Sequence, residues 1–446
     1  MQHRIAQHLG RPTWAEIDLS KLAANVKEFR RFLPANVRLM AVVKADAYGH
    51  GAYETARVAL RAGAMMLGVA SLEEGRSLRE KGIDAPILIL GYTEPRKNPS
   101  LLKAGLTPTV LNWETATALS ELARAQGKQV PVHIKLDTGM GRLGFSDFRA
   151  ALHFLKKTAA LPGIILEGIY THFAAADETD PGFTNQQLRV FKDFLEICRE
   201  KKISIPLKHA ANSAATLKYP ATHLNLVRIG IGLYGYYPDG CNPAPALNLQ
   251  EQRQNMQEKE HLQPDPGAHK HMHPHTQLQL RSNSYPNPQP QQRSHPGLHV
   301  QPHLQPVMSL KSRIVYLKRV PARTSISYGR TYLAPRQTKI ATVALGYADG
   351  YNRLLSNEGT MLVRGKRAPV AGKICMDYTM LDVGAIPGVK EGDEVVALGR
   401  QPPAEISADE LAQKLGTISY EILCSVSKKI PRAYCRQGVL QNIEFF

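Results

Sequence analysis

The chain has 446 residues, 43% of them apolar, enough for two or three domains with sizeable buried cores. Met1 to Arg11 is short and polar and lacks the apolar core of a signal peptide, and no apolar run reaches the roughly 20 residues of a membrane span, so a soluble, cytoplasmic protein is expected. The net charge is +18, but bases and acids are interspersed, with no long basic run and no RNA-binding motif. That pattern argues against a nucleic-acid binder and fits an enzyme that attracts small carboxylates. The five cysteines (Cys198, Cys241, Cys375, Cys424 and Cys435) are odd in number, widely spaced and free of any CxxC pair, as for thiols in a reducing compartment.

From about Arg38 to Gly235, short β-branched runs alternate with amphipathic stretches. The runs are Leu39–Val43, Met66–Ala70, Ile87–Leu90, Pro108–Leu111, Val130–Leu136, Leu166–Thr171, Lys208–Ala211 and Leu226–Ile229. Helical apolar spacing recurs between them, as in Tyr53–Ala62, Trp113–Ala125 and Gln187–Lys201. Eight such units predict an α/β fold, a closed (β/α)8 TIM-type barrel over residues 1–241, with the first residues free to pack on a second domain. A doubly wound open sheet is the structural alternative, but no GxGxxG fingerprint follows the first strand.

Asn242 to Pro306 is dominated by Gln, Pro and His and holds half of the 16 histidines. So few aliphatic residues cannot offset the entropy of ordering, which predicts a disordered insertion over 242–306. Its run His269-Lys270-His271-Met272-His273-Pro274-His275 has the chemistry of a Ni, Cu or Zn ligand set but no preorganised geometry, so no metal site is assigned. Regular patterning resumes at Met308. Arg313–Val320, Lys339–Leu345, Thr360–Val363, Tyr378–Val383 and Glu394–Leu398 read as strands, and Ala408–Leu415 as a helix capped by Ser407. Residues 307–446 are therefore expected to form a mainly β C-terminal domain.

The string AVVKADAYGHG (Ala41–Gly51) sets Lys44 just after the first barrel strand. Barrel enzymes work at the carboxyl ends of their strands, and a lysine behind an apolar run is placed for a depressed pKa and Schiff-base chemistry. KLDTGMGRLGF (Lys135–Phe145) follows the fifth strand and YTHFAAAD (Tyr170–Asp177) the sixth. ANSAA (Ala211–Ala215) follows the seventh, and VRIGIGLYG (Val227–Gly235) spans the end of the eighth. The second domain adds SISYGRTY (Ser325–Tyr332), LGYADGYNR (Leu345–Arg353), AGKICMDYTMLDV (Ala371–Val383) and ISYE (Ile418–Glu421).

In this order, and over nearly the whole chain outside the insertion, these motifs resemble those of the alanine racemases. The resemblance implies pyridoxal 5'-phosphate (PLP) as cofactor, with Lys44 as its Schiff-base lysine. Ser213, Gly230 and Ile231 match the phosphate contacts, in the loops where barrels commonly bind phosphate. Tyr48 and Tyr420 match phenolic contacts. Arg228 matches the residue facing the pyridine nitrogen; an arginine there stays protonated and cannot readily give the ring a proton.

Racemisation needs an acid/base group on each face of Cα, and the resemblance assigns these to Lys44 and Tyr328. His172 matches the residue linking Tyr328 to Arg228. Arg142 and the backbone N–H of Met376 match the groups that hold the substrate carboxylate and the phenolic side of the cofactor. Lys135 matches a lysine that is often carbamylated. Tyr347 and Arg353 match residues of the access channel, where Lys373 departs from the more usual arginine. In the family the tyrosine comes from a partner subunit, which implies a homodimer.

The expected function is thus interconversion of L-alanine and D-alanine, as an amino-acid isomerase that supplies D-alanine as a peptidoglycan precursor or serves alanine catabolism. A racemase of wider tolerance, including serine, is the nearest alternative. A PLP decarboxylase of the same fold fits less well, because those usually set a carboxylate against the pyridine nitrogen where this chain has Arg228. A non-catalytic PLP-binding barrel would not need the SYGRTY tyrosine. An interaction protein working through the His/Gln/Pro segment would add a partner without replacing the enzyme.

Overall fold

The computed structural model describes residues 12–242 and 301–445. Most of the insertion expected over 242–306 therefore lies outside the described residues. Its last residues lie inside them and are packed: Leu304 is buried, and the Gln305 N–H donates to the Asn25 side chain at 2.8 Å. The return to packed chain thus begins a few residues before the expected boundary, where Asn25 and Tyr237 supply partners for backbone that composition alone leaves unpaired.

The described residues begin with β1 (Trp14–Asp18) and then a helix, Leu19–Phe32, in which the Ser20 and Lys21 N–H groups bond to the Asp18 carboxylate. Eight parallel strands follow: β2 (Arg38–Val42), β3 (Met66–Val69), β4 (Ile87–Ile89), β5 (Thr107–Val110), β6 (Val130–Lys135), β7 (Ile164–Tyr170), β8 (Leu207–His209) and β9 (Leu226–Ile229). They run in the order β8-β7-β6-β5-β4-β3-β2-β9. The β8–β9 seam is closed by a few bonds outside a regular ladder: the Arg228 N–H donates to the Ala211 carbonyl at 3.0 Å, the Lys208 N–H to the Asn225 side chain at 2.8 Å, and the Asn225 N–H to the Lys208 carbonyl at 3.4 Å. All eight expected strands are present within a few residues. Helices such as Trp113–Ala125, capped by Asn112, wrap the outside and bury their apolar stripes against the strands.

The second domain is mainly β. Its strands are β10 (Met308–Val320), β11 (Ser325–Ile326), β12 (Tyr332–Leu333), β13 (Thr338–Val343), β14 (Thr360–Val363), β15 (Lys366–Pro369), β16 (Thr379–Asp382), β17 (Glu394–Gln401), β18 (Ala404–Ile406), β19 (Arg432–Arg436) and β20 (Val439–Glu444). The expected helix Ala408–Leu415 is present, with Ser407 Oγ accepting from the Glu410 N–H. β1 belongs to this sheet and not to the barrel: it pairs antiparallel with β10 and parallel with β19. Through β1, the segment before the barrel thus ties the two domains together. Among the described residues no helix is long and apolar enough to cross a membrane.

Candidate active site

Lys44 leaves β2 at the carboxyl end of the barrel, where the Val43 N–H still bonds to the Gly68 carbonyl of β3 at 2.8 Å. The next four residues, Ala45 to Tyr48, all have φ between 51° and 54°, a left-handed turn built without glycine. Such a conformation costs roughly 1–2 kcal/mol per residue, so the surroundings must hold it. Glu74 does so with both oxygens, accepting from the Ala45 N–H at 2.8 Å and the Ala70 N–H at 2.7 Å. Asp46 accepts from the Ala52 N–H at 2.8 Å. From the second domain, the buried Arg432 on β19 donates to the Gly49 carbonyl at 3.0 Å. The turn is fixed from three sides, and it aims Lys44 and Tyr48 into one cavity.

That cavity, about 490 Å³, sits over the carboxyl ends of the strands and is lined by Lys44, Lys135, Arg142 and Arg228. No acidic side chain is among its described lining residues. Burial, reinforced by Arg142, lowers the Lys44 pKa below the usual lysine value. Burial followed by Arg142 and Arg228 holds Lys135 down to about 8. Four cations converging on an acid-free cavity call for anions as occupants.

Arg228 is 3% exposed. It donates to His209 Nδ1 at 2.8 Å, to the Thr171 and Ala210 carbonyls at 2.8 Å each, and to His172 Nδ1 at 3.2 Å. Burial lowers its pKa to about 10 and pushes His172 and His209 well below the ordinary histidine value, so both imidazoles are neutral at physiological pH. Tyr170 forms the floor. Its ring stacks on His209 at 4.6 Å, with the Arg228 guanidinium 5.3 Å and Lys135 Nζ 5.5 Å from its centroid. Sequence reasoning singled out neither Tyr170 nor His209, and it also missed Cys424 at the cavity wall. For Tyr170 and His209 the available signal was a polar or aromatic residue at the carboxyl end of an apolar strand; Cys424, within the helix Ser419–Ser425, carried none.

Beyond Arg228, the Gly230 N–H donates to Ser213 Oγ at 3.0 Å. A Cβ at Gly230 would stand 2.6 Å from Tyr48 Oη, so only glycine admits the phenol here. Tyr420, from the helix Ser419–Ser425, packs on the Tyr48 ring at 6.0 Å and completes this side with Ile231. The hydroxyl-bearing side chains of Tyr48, Ser213 and Tyr420 gather on this side, and no acidic side chain is among the described lining residues. Together with the four cations, this lining fits a molecule bearing a phosphate and a second anionic group.

Of the predicted site residues, Lys44, Tyr48, Lys135, Arg142, His172, Ser213, Arg228, Gly230, Ile231 and Tyr420 line this one cavity. Tyr328, Met376 and Tyr347 do not. They lie on the second domain, 68%, 54% and 40% exposed. Their loops meet one another: the Tyr347 N–H bonds to the Cys375 carbonyl at 3.1 Å, the Ala348 N–H to the Met376 carbonyl at 3.0 Å, and a Cβ at Gly329 would meet Lys373 Nζ at 3.0 Å. Tyr328 is presented on a turn in which Ser327, Gly329 and Arg330 all have positive φ. A single chain thus carries the predicted site in two parts.

Residues 17–238 match the family model described as alanine racemase, N-terminal domain, and residues 307–434 the one described as alanine racemase, C-terminal domain. The chain is 42% identical over 428 residues to the alanine racemase of Halothermothrix orenii, covering 96% of this chain and 98% of that protein. The solved alanine racemase of Clostridium difficile 630 superposes with a TM-score of 0.80 at 33% identity, over 98% of this chain and 99% of that one. That of Bacillus anthracis with bound L-Ala-P gives 0.78 at 33% identity, over 98% of each chain. With a barrel, a β-rich second domain and a lysine-bearing cavity between matched segments, the chain belongs to the alanine racemase family.

Proposed function

We propose that this racemase interconverts L-alanine and D-alanine by moving the Cα proton between Lys44 and Tyr328, in a cavity that holds pyridoxal 5'-phosphate. The observation that carries the reading is the convergence of Lys44 with Lys135, Arg142 and Arg228 in one acid-free cavity at the carboxyl ends of the barrel strands. When bound, PLP supplies an aldehyde that condenses with amines and a ring that draws electron density from Cα. Lys44 would hold it covalently, Ser213, Gly230, Ile231 and Tyr48 would hold its phosphate, and Arg228 would face the ring nitrogen.

The chain's own groups then account for the proton transfers. Lys44, its pKa lowered by burial and then by Arg142, is the base that takes or returns a proton on one face of Cα. His172 Nδ1 accepts from Arg228, so its proton sits on Nε2, a donor able to stabilise an ionised phenol. Tyr328 of a partner subunit is the base for the second face, brought in by a homodimer that joins the two parts of the site. Arg142 and the Met376 N–H hold the substrate carboxylate. At a pKa of about 8, roughly a tenth of the Lys135 amine is neutral at pH 7, ready to add CO2, lose a proton and become a carbamate. That anion would turn the repulsion between Lys135 and Arg142 into attraction and fix the guanidinium. The test is to incubate purified protein and PLP with separate L-amino acids and score D-enantiomers. D-alanine is the expected product; its absence overturns the reading, and an equal yield of D-serine shifts it to the broader racemase.

A further inference from the structure

Arg228 is buried, yet among the described residues no carboxylate touches it; its partners are two carbonyls and two imidazoles. One imidazole opens a chain. His209 Nε2 lies 2.9 Å from His133 Nδ1, and His133 Nε2 lies 3.0 Å from Glu167 Oε2. Arginine has no acceptor, so its bond to His209 Nδ1 has a single direction. His209 Nδ1 must be bare and Nε2 protonated. His133 Nδ1 must then accept, and its Nε2–H donates to Glu167. Every proton in the line is assigned from one end, and every bond points outward.

The fold makes specific room for this line. Gly168 is opposite His133 in the β6–β7 ladder, and a Cβ there would fall 2.4 Å from the imidazole. The ladder slips at that point: Val132 pairs with Leu166 but His133 with Gly168, leaving Glu167 as the extra residue of a bulge. Bulges re-aim side chains, and here the re-aimed carboxylate is 28% exposed, with one end in solvent and the other on a fully buried histidine. The charged and titratable neighbours of the two imidazoles are Arg228, Glu167, Tyr170 and each other.

We infer that Glu167 is a positioning residue: through His133 and His209 it fixes the tautomer that Arg228 needs, and so orients the guanidinium toward the cofactor ring. It acts as the distant counter-ion of Arg228. The inference rests on the reading that Arg228 faces the ring nitrogen.

Three variants of the full-length holoenzyme test it. Glu167→Gln keeps an acceptor and should preserve both histidine tautomers, the cofactor absorbance band and turnover within about threefold of the parent. Glu167→Lys supplies a donor, forces a proton onto His133 Nδ1 and then onto His209 Nδ1, and sets that N–H against Arg228. It should change the 15N shifts of both histidines and the pH at which the bound cofactor's absorbance changes. Its kcat should fall roughly ten- to a hundredfold, the usual scale for an outer partner of a site group, with KM little altered. Glu167→Ala covers the case in which the lysine variant fails to fold, and should lie between the two. Unchanged tautomers in the lysine and alanine variants overturn the inference. Changed tautomers with an unchanged absorbance profile break its link to the ring and fault the placing of Arg228 instead.

Discussion

Gly230→Ala probes the proposed phosphate wall directly. The added Cβ would sit 2.6 Å from Tyr48 Oη and 3.3 Å from Tyr48 Cζ, so relief requires a movement approaching 1 Å, given ordinary contacts of about 3.5 Å. Tyr48 has nowhere easy to go: it is 7% exposed, with Tyr234 at 4.8 Å and Tyr420 at 6.0 Å between ring centroids. Forcing a methyl into such packing costs about 1–3 kcal/mol. Displacing the hydroxyl from the phosphate would remove one charge-assisted hydrogen bond, about 1.5–3 kcal/mol, or PLP binding weakened roughly 10- to 150-fold. The assay is a PLP titration of the cofactor-free variant, followed by absorbance, alongside its thermal melt. Adding Tyr48→Phe removes the clashing oxygen and leaves a tolerable 3.3 Å contact, so the double variant should recover most of the lost melting temperature without recovering affinity. Additive losses of stability, or parental PLP affinity in Gly230→Ala, would refute the reasoning.

Borohydride reduction and peptide mapping should place the cofactor on Lys44, and Lys44→Ala should carry no label; a label on another lysine would overturn the assignment. In Tyr328→Phe, Cα–deuterium exchange should persist from one alanine enantiomer and nearly vanish from the other, whereas equal loss from both would count against bases on opposite faces. Lys135 makes a pH prediction for the cofactor-free protein in CO2-free buffer. Its folded pKa of about 8 lies below the usual 10.5, so below pH 8 both states hold the proton, and between 8 and 10.5 the unfolded chain holds more. Stability should therefore rise with pH across that window by at most about 3 kcal/mol, and Lys135→Met should flatten the rise. In buffer equilibrated with CO2, the mass of native protein should increase by one CO2, lost in Lys135→Met; a site unmodified at saturating CO2 would refute the carbamate.

The barrel was legible because its evidence is local. Each parallel strand is buried on both faces and reads as a short β-branched run, and each wrapping helix needs an apolar stripe at helical spacing. Lys44, Arg142, Ser213 and Arg228 were named because their strings are distinctive and follow strand ends in order, and Tyr420 because its string lies after them in the same order. The place of β1 was not, since five residues with a strand pattern do not say which sheet they join; only the partners β10 and β19, some three hundred residues or more away, decide it. The left-handed turn after Lys44 was equally hidden. ADAY carries no glycine to announce positive φ, and the conformation exists because Glu74, Asp46 and Arg432 outbid the local preference. Tyr328 was named from its motif, but that it is exposed and does not line the cavity of its own chain is a property of how the second domain is folded. The line from Arg228 to Glu167 joins β9, β8, β6 and β7. Its residues are isolated polar letters inside apolar strands, and they acquire meaning only when closure of the barrel sets their side chains within hydrogen-bonding distance, where burial forbids Arg228, His209 or His133 to stand alone.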